Sequence, residues 1–220
     1  MDSFLQISLT SKCNFACWHC PMANYRNNDN PDYILTNERL IPWLEKYVSK
    51  DNWIIELTGG EPGLYRGIDE LVDWLSNNGY HAIIKTNGSL PIKRATNVLR
   101  VAAYHRYYEP PKYFDRILIV DKIDRDEKED VCKKKGWDYK VIGYNNDPLP
   151  GESHGFTYCA YIDPHGHPLP CKRTAVLYTE WPDLHAMEYV GLRRTKCCPS
   201  CKAAIDCWKF IPQEWKTIAR

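Results

Sequence analysis

The chain has 220 residues, of which 44% are hydrophobic and 26% charged, and this composition excludes a disordered or fibrous protein and suffices for one sizeable core with a small appendage. Its formal net charge is +1 at pH 7, so the overall charge gives no reason to expect a nucleic acid or an anionic membrane as a partner. Residues 1–4 do not begin a basic and then apolar leader, and no segment approaches the roughly 20 apolar residues that span a bilayer. We therefore expect a soluble, cytoplasmic protein with no membrane partner.

The first two-thirds of the chain alternate β-rich runs with amphipathic helical runs, which is the pattern of βα units around a parallel sheet. Strands are predicted at residues 4–10, 53–58, 81–86, 98–104, 117–120 and 139–142. Helices are predicted around residues 40–48, 68–75 and 124–136, with Thr36 or Asn37 as the first cap, Gly79 as the end of the second helix, and Asp124-x-x-Glu127 as a capping box for the third. Six such units are too few for a closed eight-unit barrel, which needs about 250 residues. The sequence therefore predicts an α/β fold, a partial parallel βα barrel of about six units.

The composition changes at residues 145–151, a turn-rich stretch that reads Asn-Asn-Asp-Pro-Leu-Pro-Gly and that we interpret as a linker. We predict a barrel domain at residues 1–148 and a small C-terminal iron–sulfur domain at residues 149–220. Six of the ten cysteines lie in the second domain. Because a reducing cytosol disfavours disulfides, clustered cysteines are interpreted first as metal ligands.

The loop directly after the first strand carries Cys13-x3-Cys17-x2-Cys20. Three thiolates at this spacing can bind three irons of a 4Fe–4S cluster and leave the fourth iron open for a small molecule. Loops at the carboxyl ends of barrel strands are also where such folds keep their chemistry. The alternative is a zinc knuckle with His19 as the fourth ligand.

Three motifs together resemble the radical S-adenosylmethionine (radical SAM) superfamily. They are the cysteine loop with His19 in the position of an aromatic residue, Thr58-Gly59-Gly60-Glu61-Pro62 at the end of the second strand, and Thr86-Asn87-Gly88 at the end of the third. The resemblance covers roughly residues 4–145. It implies an oxygen-sensitive enzyme that cleaves S-adenosylmethionine reductively to a 5'-deoxyadenosyl radical, which then takes a hydrogen atom from a substrate.

The same resemblance assigns roles to the motif residues. Cys13, Cys17 and Cys20 would hold the catalytic 4Fe–4S cluster, and His19, Gly59, Gly60, Glu61, Thr86 and Asn87 would bind S-adenosylmethionine. Independently of the family, two glycines let a backbone approach a ligand closely, and a carboxylate such as that of Glu61 attracts a cationic amino group. We therefore expect Glu61 to face the methionine end of S-adenosylmethionine.

The second group of cysteines resembles the SPASM and twitch extensions of the same superfamily. Cys159 is followed by Gly166-x4-Cys171 and then by Cys198-x2-Cys201-x5-Cys207, but the further cysteine of the full SPASM pattern is absent. The resemblance implies one auxiliary 4Fe–4S cluster, held by Cys159, Cys171 and two of Cys198, Cys201 and Cys207. Cys197 would be a spare. A zinc ribbon could use the same four thiolates.

The substrate is less well defined by the sequence. Residues 93–112 combine basic and aromatic side chains, which can bind phosphates and bases but are more often a solvated face. Tyr104 and His105 are expected at the barrel mouth, and Cys132 is either a buried apolar residue or a hydrogen donor to a product radical. We predict a small-metabolite or nucleotide substrate, with a ribosomally made peptide as the alternative, and a flavodoxin- or ferredoxin-type reductant. The rival outside the enzyme class is a non-catalytic zinc or electron-transfer module.

Overall fold

The computed structural model describes residues 3–17, 20, 35–105, 110–120, 124–142, 158–162, 168–169, 195–196 and 202–217. The strands are β1 (Ser3–Thr10), β2 (Trp53–Gly59), β3 (His81–Thr86), β4 (Val98–Ala103), β5 (Arg116–Val120), β6 (Tyr139–Ile142), β7 (Tyr158–Ile162), β8 (Pro168–Leu169) and β9 (Thr195–Lys196). The helices are α1 (Asn37–Tyr47), α2 (Ile68–Asn77), α3 (Arg125–Lys135), α4 (Lys202–Phe210) and α5 (Gln213–Thr217), with a 3-10 turn at Pro62–Leu64.

Within these residues the strands form one sheet in the order β6-β5-β4-β3-β2-β1-β7-β8, with β9 also paired to β7. Strands β1 to β6 run parallel and follow chain order, which confirms the predicted partial βα barrel. Strand β7 was not predicted; it is a seventh parallel strand and pairs with β1 on the side opposite β2. Strands β8 and β9 are antiparallel to β7.

Helices α1 and α2 cover one face of the sheet, which is the outer face of the partial barrel. Their buried leucines pack against Leu5, Ile7 and Leu9 of β1 and against the neighbouring strands in one apolar cluster. The hydrophobic residues of α1 and α2 recur at helical spacing, so each helix presents one apolar stripe to the sheet. Helices α1 and α2 therefore bury this face of the sheet at β1 and the neighbouring strands.

The opposite, inner face of the sheet is covered at the amino ends of the strands by α4 and α5. Phe4, Ile54 and Ile83 pack there in one apolar cluster with Phe210 and Trp215. Residues from the predicted C-terminal domain thus share a core with the first three strands. The division of the chain at residue 148 stays a prediction.

The predicted C-terminal ends of the helices agree with the structure better than the predicted N-terminal caps do. Gly79 and Gly136 have positive φ angles of 74° and 66° and follow α2 and α3 as predicted. The predicted capping box of α3 is wrong, because Asp124 has a left-handed backbone and its side chain makes no capping hydrogen bond. Thr36 does occupy the cap position of α1, again without a side-chain capping hydrogen bond. None of the helices in the described ranges is both long and apolar enough to cross a membrane.

Candidate functional site

The three motifs found in the sequence meet where β1, β2 and β3 end. The backbone N–H of Gly60 donates to the carbonyl of Thr10 at 2.6 Å, and that of Glu61 donates to the carbonyl of Lys12 at 2.7 Å. From the third motif, Asn87 Nδ2 donates to Asn14 Oδ1 at 2.9 Å. The cysteine loop, the Gly-Gly-Glu-Pro turn and the Thr-Asn-Gly turn are therefore joined by hydrogen bonds into one unit at the carboxyl edge of the sheet.

Gly59 and Gly60 are needed because the chain approaches itself closely at this point. A Cβ atom on Gly60 would lie 2.0 Å from the carbonyl oxygen of Lys12, and one on Gly59 would lie 2.4 Å from that of Thr10. Gly59 also has a φ angle of 125°, which L-residues rarely adopt. The end of β1 and the start of the cysteine loop lie against these two glycines, and the role of the glycines in binding S-adenosylmethionine stays a prediction.

The carboxylate of Glu61 is fully buried and accepts three hydrogen bonds. Its Oε1 accepts from the backbone N–H of Gly63 at 2.9 Å and from Thr86 Oγ1 at 2.6 Å, and its Oε2 accepts from the backbone N–H of Asn87 at 2.7 Å. Burial raises the pKa of Glu61, and the bonds from Asn87, Thr86 and Gly63 oppose that rise. Glu61 thus fixes the end of β2 to the end of β3.

Thr86 and Asn87 are bound mainly to the motifs themselves. Thr86 Oγ1 also accepts the backbone N–H of Gly88 at 3.0 Å, and Asn87 Oδ1 accepts the backbone N–H of Ser89 at 2.9 Å. Asn14 Nδ2 donates to Ser89 Oγ at 2.9 Å, so this loop is held from both sides. Contacts of Glu61, Thr86 and Asn87 with S-adenosylmethionine stay predictions.

The sulfur atoms of Cys13, Cys17 and Cys20 belong to partly exposed thiols on the loop after β1. The backbone N–H of Cys20 donates to the carbonyl of Cys17 at 3.2 Å. The Sγ atom of Cys17 lies 3.5 Å from Nδ1 of His105, just beyond β4. The ring of Phe15 meets His105 edge to face at 5.9 Å. His105 therefore lies at the barrel mouth, as predicted, and contacts one of the three cysteines.

Three thiols on one loop fit the donor set of a 4Fe–4S cluster. In the part of the chain that the structure describes, no three His, Cys, Asp or Glu side chains are grouped as a site for one metal ion. The thiolates of a 4Fe–4S cluster each bind a different iron and need no shared point. Three accessible thiols on one short loop meet that requirement.

Three of the predicted auxiliary ligands lie outside the part of the chain that the structure describes. Cys171, Cys198 and Cys201 lie outside the described residues, as does His19 of the first motif, and for Cys159 the structure gives only its backbone in β7. Cys207 is on α4, fully buried in the apolar cluster of the inner face.

Other candidates from the sequence analysis are engaged in packing and ion pairs. Cys132 is fully buried on the outer side of the sheet, which confirms the apolar interpretation, and Tyr104 packs against that same cluster and not at the mouth. In the basic stretch, Arg100 Nη2 bonds Asp115 Oδ1 at 2.8 Å, and Lys93 Nζ bonds Asp73 Oδ2 at 2.8 Å. These two cations have intramolecular partners, which weakens the case for a phosphate-binding surface there.

Three polar residues on the inner face of the sheet were not predicted from the sequence. Glu56 on β2 is completely buried, its register partner on β1 is Gln6, and its carboxylate pairs with Lys85 on β3 at 2.9 Å. The available signal was a charged residue inside a strand that is otherwise apolar, because a buried charge usually needs a specific reason.

Comparison with known proteins agrees with the resemblance of the motifs. Residues 7–142 match the Radical SAM superfamily. A probable GTP 3',8-cyclase of Saccharolobus islandicus is 32% identical over 126 residues, which are 55% of this chain and 40% of that protein. The molybdenum cofactor biosynthesis protein moc-5 of Caenorhabditis elegans is 26% identical over 137 residues, which are 62% of this chain and 21% of that protein.

Among solved structures, Streptococcus suis SuiB bound to S-adenosylmethionine is similar with a TM-score of 0.52 at 20% identity, over 67% of this chain and 41% of that one. SuiB alone gives a TM-score of 0.52 at 15% identity over 98% of this chain and 67% of that one. These two likenesses concern the fold alone.

The match to the archaeal relatives spans about two-fifths of their length, so their whole activity is not carried over with the family. The family itself follows from the match over more than half of the chain and from the three motifs that the structure joins at one sheet edge. The chain belongs to the radical SAM superfamily and is an enzyme of the radical SAM type, with a 4Fe–4S cluster and S-adenosylmethionine as its cofactors.

Proposed function

We propose that this enzyme cleaves S-adenosylmethionine reductively and uses the resulting 5'-deoxyadenosyl radical to take a hydrogen atom from a small metabolite or nucleotide bound at the inner face of the sheet. The observation that carries the proposal is the hydrogen-bonded unit formed by the cysteine loop and the turns after β2 and β3. Such a unit lies at the carboxyl edge of the strands, where barrels of this type hold their active sites.

Cys13, Cys17 and Cys20 would hold the catalytic cluster, because their thiols are accessible and share one loop. When bound and reduced, this cluster supplies the electron that breaks the carbon–sulfur bond of S-adenosylmethionine. A thiolate that binds iron carries no proton, so the N–H of His105 must be the donor in its contact with Cys17 at 3.5 Å. Hydrogen bonds to cluster sulfurs favour the reduced state. His105 would thereby ease the reduction of the cluster.

The residues around the cysteines would hold the loop in place while the cofactors bind. Glu61 would fix the turn after β2 to Thr86 and Asn87, and Asn87 would fix Asn14 inside the cysteine loop. A loop that is already ordered loses less conformational entropy when it binds a ligand. S-adenosylmethionine would then meet a largely preformed edge of the sheet.

We also propose an auxiliary 4Fe–4S cluster and a separate domain for it at residues 149–220. We assign Cys159, Cys171, Cys198 and Cys201 to this cluster. The burial of Cys207 among apolar side chains favours the other two cysteines of its motif as ligands. The reductant would be a flavodoxin- or ferredoxin-type protein.

The substrate class is supported by the names of the relatives, since the archaeal proteins are probable GTP 3',8-cyclases. A nucleotide is therefore the first compound to try. A ribosomally made peptide that stimulated cleavage in its place would show that the substrate class is wrong while leaving the radical chemistry intact.

The test is anaerobic reconstitution with iron and sulfide, followed by addition of S-adenosylmethionine and dithionite. We expect roughly eight irons per chain, four for each cluster, and formation of 5'-deoxyadenosine measured by liquid chromatography with mass spectrometry. Cys17→Ala should lose about half of the iron and all of the product. Cys132→Ala is the matched control, because its thiol is buried on the outer side of the sheet, and it should keep both.

A fully loaded wild-type protein that forms no 5'-deoxyadenosine would refute the proposed reaction. A wild-type content of about four irons with normal cleavage would refute the auxiliary cluster only.

A further inference from the structure

Three polar side chains form a connected group on the inner face of the sheet, across β1, β2 and β3. Gln6 and Glu56 are register partners, and Gln6 Nε2 donates a hydrogen bond to Glu56 Oε1. The ammonium of Lys85 lies 2.9 Å from the other carboxylate oxygen, Glu56 Oε2. We call Gln6, Glu56 and Lys85 the inner polar group.

The inner polar group lies between the apolar core and the cysteine loop. Each of its members follows an apolar residue of the inner core by two positions along its strand, namely Phe4, Ile54 and Ile83. Glu56 is 0% and Gln6 4% exposed. Lys85 lies two residues beyond Ile83, the register partner of Glu56, toward the carboxyl edge, and its side chain is 19% exposed. The group is therefore deepest at Glu56 and opens toward the carboxyl edge, where the three motifs meet.

Two oxygen atoms of the group have no aligned hydrogen-bond donor within the described residues, although one of them is ion-paired with Lys85. Within the described residues, Gln6 Oε1 and Glu56 Oε2 are buried and accept no hydrogen bond. The Lys85 ammonium is close enough to Glu56 Oε2 for an ion pair but is not aligned as a hydrogen-bond donor. Buried polar atoms are almost always satisfied, so two neighbouring exceptions call for an explanation.

The charges of the group and its two oxygen atoms without a hydrogen bond indicate what it could bind. One carboxylate and one ammonium give no net positive charge, so the group has little to attract a phosphate. Two acceptors on different side chains, one of them anionic, are matched best by an amine or ammonium, which has several N–H donors where a hydroxyl has one. The hydroxyl groups of the neighbouring Ser8 and Tyr161 bond each other at 2.9 Å and extend the polar surface toward β7.

We propose that the inner polar group is the deep end of the substrate site and binds an amine or ammonium group of the substrate through Gln6 Oε1 and Glu56 Oε2. This inference rests on the proposed function, since it gives the substrate class of the same site. It means that a substrate with phosphates would place them away from this group, and that an amine-bearing part of the molecule enters first.

The experiment uses ethylammonium chloride as the probe, with sodium chloride at equal concentration as the reference. The full chain is reconstituted anaerobically, and its thermal midpoint Tm is measured in sealed capillaries. In wild-type protein the probe should raise Tm above the sodium chloride value, and in Glu56→Gln it should not. Lys85→Ala should lower Tm by about 6 °C or more, because it leaves a buried carboxylate unpaired. Ethylammonium should restore at least half of that loss.

Two further variants serve as controls. The double variant Glu56→Gln/Lys85→Ala lacks the carboxylate and should gain nothing from ethylammonium. Lys93→Ala breaks an exposed ion pair with Asp73, in which the two side chains are 51% and 44% exposed, and should show little change in Tm and no probe effect.

The proposal is overturned if ethylammonium has no effect on wild-type protein, since the two acceptors are then inaccessible. Equal effects in wild type and Glu56→Gln would overturn it as well, because the carboxylate would play no part. If Lys85→Ala does not fold, the comparison of wild type with Glu56→Gln still decides the matter. Formation of 5'-deoxyadenosine is measured separately, so failure of the proposed function is distinguishable from failure of this inference.

Discussion

Replacing Glu61 distinguishes the structural role seen here from the cofactor-binding role expected from the motif. Glu61→Ala removes the acceptor of three hydrogen bonds, from Gly63, Thr86 and Asn87, at 2.9, 2.6 and 2.7 Å. Hydrogen bonds to a charged group contribute about 1.5–3 kcal/mol each. The cost of burying the carboxylate offsets part of their sum, so we expect a loss of about 3–5 kcal/mol, or about 6–20 °C in Tm for a chain of this size.

The conservative variant Glu61→Gln should cost less than the alanine variant. Its amide oxygen can keep the bonds that Oε1 accepts, but its amide nitrogen then faces the backbone N–H of Asn87, so we expect a loss of about 2 kcal/mol. Unfolding by circular dichroism and binding of S-adenosylmethionine by anaerobic equilibrium dialysis are measured on both variants. If both variants keep wild-type stability and lose only cofactor binding, the carboxylate faces the cofactor and the structural account is refuted.

The same residue gives a pH dependence with a defined sign. Burial raises the pKa of Glu61 above its ordinary value of 4.5. The folded state therefore holds this proton more tightly than the unfolded state does, and stability falls as the pH rises from 4.5 through the folded pKa and is then constant. Glu61→Gln should lack this component, so the stability difference between wild type and variant should grow as the pH is lowered across that window. A difference that shrinks on acidification would contradict the direction of the shift.

Three further variants test other parts of the site. Gly60→Ala would place its Cβ 2.0 Å from the carbonyl oxygen of Lys12, so it should displace the cysteine loop and cost about 3 kcal/mol; normal iron content and Tm would show that the loop does not need this contact. Cys207→Ala should lower stability by about 1–2 kcal/mol and leave the iron content unchanged, because the thiol is packed in an apolar cluster; a loss of iron would identify it as a ligand. His105→Ala removes the donor 3.5 Å from Cys17 and should lower the cluster's midpoint potential by up to about 59 mV, or tenfold in the reduced-to-oxidised ratio; redox titration followed by electron paramagnetic resonance measures this, and an unchanged potential would exclude the hydrogen bond.

The strands were predictable because a parallel sheet that is buried on both faces needs short, nearly continuous apolar runs. Residues 81–86 and 139–142 were delimited as the structure has them, and β1, β2, β4 and β5 differ by one residue. The strand β7 was missed because its five residues, Tyr-Cys-Ala-Tyr-Ile, include a cysteine of the second group, and that cysteine pattern was interpreted as a metal site instead of as part of a strand.

The motifs of the site could be located from the sequence, but the contacts between them could not be predicted. The positions of Gly60 and Glu61 after β2 follow from the motif, but the reason for them depends on which loop lies opposite, and a sequence does not give distances between loops. Gln6, Glu56 and Lys85 were missed for the same reason. Each is one polar residue in its own strand, and they become a group only through the register of three strands.

The pairing of β1 with both β2 and β7 has a consequence for biosynthesis. The strand that leads into the cysteine loop has one neighbour that begins at Trp53 and another that begins at Tyr158. A ribosome adds about 5–20 residues each second, so the second neighbour leaves it several seconds after the first. Until β7 has formed, the edge of β1 opposite β2 is unpaired. Iron delivered to the nascent chain before then would meet a cysteine loop whose strand has only one of its two neighbours. We therefore expect stable loading only after β7 has left the ribosome and paired with β1.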